Sequence, residues 1–83
     1  MDVIEASARV LALAANGESH TRIMAVHQHL RQDEIRWLLK MLVEKSLLEV
    51  DSSSTYWTTV DGSKFLELQF HLERILQEQN SLV

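Results

Sequence analysis

Phe65, Leu68, Leu72, Ile75, Gln79 and Leu82 are separated by 3, 4, 3, 4 and 3 positions. That alternation keeps one face of an α-helix turned toward a partner, as in the seam of a coiled coil, and Gln79 is its one polar member. Thr59 can cap such a helix, which then covers about residues 60–80 and spans roughly 30 Å at 1.5 Å per residue. A helix of that length outruns what a domain of this size can cover from within. Leu66, Phe70 and Leu76 widen the apolar stripe, so one flank can pack on the chain's own first helix while the other meets a second subunit. The six seam residues are the candidate dimer interface, and a homodimer is expected.

Chain length makes a partner useful. With 83 residues and 46% apolar content there is material for one domain, and a chain this short buries only about 60–65% of its unfolded surface. There is no Cys, which removes disulfides and thiolate metal sites and leaves oligomerisation as a route to stability. The same absence fits a reducing compartment. The opening Met1-Asp2-Val3-Ile4-Glu5 lacks the positive start and unbroken apolar stretch of a secretory signal. The longest apolar run is six residues, 10–15, against roughly 20 for a membrane span. A cytoplasmic protein with no membrane association is expected.

Asp2 followed by Glu5 is a capping-box pattern, and Ile4, Ala8, Leu11 and Ala15 recur at helical spacing up to the stop Asn16-Gly17, which predicts a first helix over 3–15. Its alanines suit close approach to a neighbouring helix. Ser19 or Thr21 can cap a short second helix carrying Ile23, Met24 and Val26 and ending near His27. After a break at Gln28-His29-Leu30, a third helix is predicted over 32–45, with Ile35, Leu38, Leu39 and Leu42 as its apolar stripe. Two helices joined by so short a turn, with Leu30 buried in it, make a helix-turn-helix. Leu47-Leu48-Glu49-Val50 and Thr55-Tyr56-Trp57-Thr58 then read as a β-hairpin around residues 51–54, the wing. The expected fold is mostly α with a small β-hairpin: a winged helix-turn-helix over 1–59 and a dimerisation helix over 60–83, in a single domain.

The ordered set Thr21-Arg22-Ile23-Met24, Leu30, Ile35, Leu38-Leu39, Leu42, Glu44-Lys45-Ser46-Leu47-Leu48, Tyr56 and Thr59-Val60-Asp61-Gly62-Ser63-Lys64-Phe65-Leu66 resembles the small archaeal winged-helix DNA-binding proteins of the Sso10a type. The resemblance covers nearly the whole chain. It implies a winged helix followed by a long C-terminal helix that pairs antiparallel with its twin, bringing two recognition helices into one DNA-binding dimer. Arg31 departs from the pattern where a Ser or Asn cap is usual, and Ser46 where a left-handed Gly usually ends the third helix, each at a cost of ~1 kcal/mol. The wing, 51–55, has no Lys or Arg, and Asp51 would repel a phosphate, which puts wing contact with DNA in question.

Net charge is −4, and DNA affinity comes largely from Lys and Arg on phosphates. The distribution matters more than the total. Residues 1–20 carry −2 and residues 51–83 carry −3, while 21–50 hold Arg22, Arg31, Arg36, Lys40 and Lys45, five of the eight basic residues. On the third helix Gln32, Asp33, Arg36, Trp37 and Lys40 lie off the core stripe. In a recognition helix Gln can pair with adenine, Arg with guanine, and Lys40 suits a phosphate. A plain solvated surface, with Arg36 and Lys40 paired to Asp33 and Glu44, stays open beside it. Arg22 and Arg31 complete the candidate DNA-binding set Arg22, Arg31, Gln32, Arg36, Trp37 and Lys40.

His20, His27, His29 and His71 invite a metal reading, but no carboxylate or Cys completes a recognised spacing, so no metal or other cofactor is expected. They read as groove-facing or surface residues, whose protonation below pH ~6.5 would add positive charge beside the helix-turn-helix. Tyr56, Trp57, Phe65 and Phe70 read as core aromatics, while Trp37, on a polar face, could touch DNA, a protein partner or the other subunit. There is no Cys nucleophile, no glycine-rich phosphate loop and no Ser-His-acid set that spacing brings together, so enzyme activity is not expected. The leading reading is a dimeric sequence-reading or chromatin-type protein on double-stranded DNA, a transcriptional regulator with its third helix in the major groove. The alternative is a winged-helix protein-interaction module that presents Trp37 and the acidic ends to a partner protein.

Overall fold

The computed structural model, which describes the backbone of residues 1–81 and the side chains of residues 1–78, is mostly helical, with four α-helices and a small three-stranded antiparallel sheet. Helix α1 (Val3–Leu13) begins where the Asp2 side chain accepts a hydrogen bond from Glu5 N at 3.1 Å, satisfying one of the amides that a first turn leaves without a partner. It stops short of Ala15: a 3-10 turn, Ala14–Asn16, tightens its end. Gly17, at φ 85°, then redirects the chain.

The face that α1 buries is Ala6, Ser7, Val10 and Leu11, continued by Ala14. This corrects the stripe read from spacing, since Ile4 is 61% exposed and Ala15 is also exposed. Small side chains at 6, 7 and 14 let the α1 backbone lie close on the core, and Val10 and Leu11 fill what space is left.

A two-residue strand β1 (Glu18–Ser19) follows, and Ser19 Oγ caps helix α2 (His20–Val26) by accepting from Arg22 N at 3.2 Å. The link to the next helix is tightened by a bond from Leu30 N to His27 O at 2.9 Å. Leu30 is partly buried against the core rather than enclosed by it.

Helix α3 (Gln32–Glu44) buries Ile35, Leu38, Leu39 and Leu42, the stripe that its spacing predicts. At its start no Arg31 side-chain oxygen is available to cap; the Glu34 carboxylate instead reaches back to accept from Arg31 N at 3.2 Å. At its end Ser46 N bonds Val43 O at 3.0 Å and Leu47 N bonds Leu42 O at 2.9 Å, while Ser46 sits at φ 61°. That is the Schellman arrangement, with Ser in the left-handed place that Gly favours.

Strands β2 (Leu48–Val50) and β3 (Thr55–Thr58) form the expected hairpin, in register Leu48↔Thr58, Glu49↔Trp57 and Val50↔Tyr56. Strand β1, which the sequence reading did not anticipate, pairs with the other edge of β3, giving the order β1-β3-β2. Thr58 Oγ1 donates to Leu11 O at 2.6 Å and fastens the sheet to α1.

Helix α4 (Val60–Ser81) starts from a doubly used threonine: Thr59 Oγ1 accepts from Gly62 N at 3.0 Å and donates to Ser46 O at 2.7 Å. A Cβ at Gly62 would lie 2.3 Å from Leu47 O, so the first turn of α4 rests directly on the backbone that leads into β2. Phe65 and Leu66 close the core from this side. The helix then continues past the core, and the longest dimension of the molecule is 49 Å against 27 and 19 Å for the others.

Candidate nucleic-acid interface

With Ile35, Leu38, Leu39 and Leu42 anchored inside, the 3.6-residue turn leaves Gln32, Arg36 and Lys40 along one flank of α3 beside the buried stripe, each one turn from the next. All three are exposed, and Trp37 beside them is 51% exposed. Among the described residues neither the Arg36 nor the Lys40 side chain has an ion-pair or hydrogen-bond partner. The pairing to Asp33 and Glu44 that would make this face a neutralised surface is not formed.

Asp33 is occupied by Arg31, through Nη2 to Oδ2 at 2.7 Å and Nε to Oδ1 at 3.2 Å. The hydrogen bond to Arg31 holds the Asp33 carboxyl below its usual range, and the same contact raises the Arg31 guanidinium. Arg31 therefore meets an incoming anion already engaged, unlike Arg36 and Lys40. Arg22 is exposed in the first turn of α2.

A groove runs between α3 and the sheet, bordered by Arg36, Lys40 and Glu44 on one side, Val50 and Tyr56 on the other, and His20 at the start of α2. The His20 and Tyr56 rings lie 6.1 Å apart, tilted by 32°. His20 reads from sequence as groove-facing or surface and Tyr56 as a core aromatic; their pairing is not legible there, because the two-residue strand that brings them together leaves no hydrophobic pattern of its own.

The other histidines separate. His27, expected at the surface, is 2% exposed, and its Nδ1 lies 2.8 Å from Ile23 O. The turn after α2 folds this ring under α1 instead of out to solvent, and among the described residues its Nε2 has no partner. His29 is exposed, 6.1 Å from the His27 ring, and His71 is exposed on α4. Among the described residues no group of three His, Asp or Glu could hold a metal ion. No described helix is long and apolar enough to cross a membrane.

At the hairpin tip the Asp51 carboxylate accepts from Ser53 N, Ser53 Oγ, Thr55 N and Trp57 Nε1, at 2.9, 2.7, 3.0 and 3.2 Å. The Ser53 hydroxyl, then the Thr55 amide and the Trp57 indole, lower its pKa to about 2. Asp51 is thus the staple of the turn. Trp57, expected in the core, is exposed, with its ring laid across Gly17. Phe70 also departs from its expected core place: it is 72% exposed, on the rim of the groove between α4 and α1. Tyr56 and Phe65 are partly buried against the core, as expected of core aromatics.

Of the seam residues, Phe65 packs on the chain's own core, whereas Leu68, Leu72 and Ile75 are exposed apolar side chains on α4. The Gln79 side chain and Leu82 lie outside the described residues. The chain matches no family model, no curated protein and no solved structure.

Proposed function

We propose that this chain is a winged helix-turn-helix protein that binds double-stranded DNA as a homodimer, with α3 in the major groove, the hairpin as wing and α4 as the dimer helix. The observation that carries the reading is the pair Arg36 and Lys40, one turn apart on an exposed face with Gln32, neither engaged by an internal anion. A cation whose counter-charge is absent from its own protein loses no ion pair on meeting a phosphate or a guanine edge, so its attraction to DNA is undiminished. Leu68, Leu72 and Ile75 support the dimer, because exposed apolar side chains at three-and-four spacing gain most by meeting their like. The overall acidity of the chain limits binding away from that face.

A mobility-shift assay on a random duplex pool at 50 mM salt tests it. The wild-type protein is expected to retard duplex, and Arg36→Ala with Lys40→Ala to lose at least tenfold in affinity while its helical circular dichroism is kept. Asp51 favours a second reading, a protein-interaction module, since the wing tip presents an ionised carboxylate and no base. Absence of any retardation by an intact dimer would select that module.

A further inference from the structure

We infer that the groove between α3 and the sheet seats a backbone phosphate of DNA, held by His20 and Tyr56 together with Arg36 and Lys40. This deepens the DNA reading above and rests on it. Three elements converge on the groove. Helix α3 supplies the two cations; β3 supplies the Tyr56 hydroxyl; the start of α2 supplies the His20 imidazole. Strand β1 makes the convergence possible, since Glu18 pairs with Tyr56, Ser19 pairs with Thr55, and His20 N donates to Ser54 O at 3.1 Å. With the backbone so fixed, the His20 and Tyr56 rings stand 6.1 Å apart at the mouth of the groove.

Leu39, Val43 and Val50 also line the groove and are apolar, while the polar groups that line it suit an anionic oxygen ligand. The side chains of Arg36, Lys40, Tyr56 and His20 all carry N–H or O–H groups, and none of these side chains has a hydrogen-bond or ion-pair partner among the described residues. The one carboxylate, Glu44, lies a turn beyond Lys40 at the C-terminal end of α3, so the end near Arg36 is the cationic one. A phosphodiester offers several acceptor oxygens at once, and contacts of this sort set the register of a protein on a duplex without reading sequence. The same placement gives the hairpin a part in binding despite its lack of Lys and Arg. Its contact is the body of β3, through Tyr56, and the Asp51 turn is not required to approach the backbone.

Fluorescence anisotropy of a labelled duplex, read from 50 to 200 mM salt, tests the seat with His20→Ala, His20→Lys and Tyr56→Phe. His20→Ala and Tyr56→Phe are each expected to weaken binding about fivefold at 50 mM salt. His20→Lys is expected to bind at least as tightly as wild type and to steepen the log-log salt slope by about 0.9, one added phosphate contact. A folding defect in His20→Ala would not produce recovery in the Lys variant. Wild-type binding with no loss in either His20→Ala or Tyr56→Phe overturns the seat and leaves the α3 reading standing. Failure of wild type to bind removes both.

Discussion

The indole Nε1 of Trp57 donates to Oδ2 of Asp51 at 3.2 Å, across the strand ends of the hairpin. The other carboxylate oxygen gathers Ser53 and Thr55, so a single ionised side chain organises the whole turn. Its folded pKa of about 2 lies below the usual unfolded value of about 3.9. The ionised form therefore favours the folded state, and its contribution is full above about pH 4 and lost as pH falls through about 2. Urea unfolding followed by tryptophan fluorescence should show Asp51→Ala less stable than wild type at pH 6, with the gap closing between pH 4 and 2. A gap that stays constant over that window would assign the effect to something other than the carboxylate's charge.

Ser46 terminates α3 at φ 61°, a conformation in which its Cβ crowds the backbone. Ser46→Gly should raise stability by about 1 kcal/mol, seen as a higher denaturation midpoint at unchanged slope. The bond from Thr59 Oγ1 goes to the Ser46 carbonyl and survives the change. A lower midpoint would mean that the Schellman turn is not strained.

Gly62 behaves in the opposite sense. A methyl group there would meet Leu47 O at 2.3 Å and Thr58 Cγ2 at 2.7 Å, and the backbone oxygen cannot swing away as a side chain could. Gly62→Ala should cost about 1–3 kcal/mol despite the better helix propensity of Ala. Stabilisation on thermal melting would show that α4 does not rest on the backbone at Leu47.

What the sequence disclosed depended on side-chain size and on local caps. In α3, Ile35, Leu38, Leu39 and Leu42 are large and flanked by polar residues, so the buried face and the exposed Gln32, Arg36, Trp37 and Lys40 were readable together. Thr59 marked the start of α4 because a cap acts within a few residues of itself, whereas Ser46 entered only as a departure from the resembled pattern, where a Gly is usual. In α1 the alanines carry little hydrophobic contrast, and the face was set wrongly. Strand β1 is two polar residues whose extended form comes from pairing with β3, far along the chain. His20 in the groove follows from that pairing. The burial of His27 is likewise non-local, set by the packing of α1 over the turn.

Leu72 and Ile75 are not among the residues that form the core or pack against it, so their replacement tests assembly with little demand on the core. Leu72→Asp with Ile75→Asp should sediment as a monomer with its helix content kept, because burying two carboxylates in an apolar seam costs several kcal/mol. A dimer that persists in this variant would place the interface elsewhere.

Salt dependence of duplex binding by the wild-type protein bears most directly on the DNA reading. With Arg36 and Lys40 of two subunits on phosphates or base edges, the plot of log affinity against log salt should fall steeply, by about 0.9 for each phosphate contacted. A flat plot, or no binding at 50 mM salt by a protein shown to be dimeric, would contradict it.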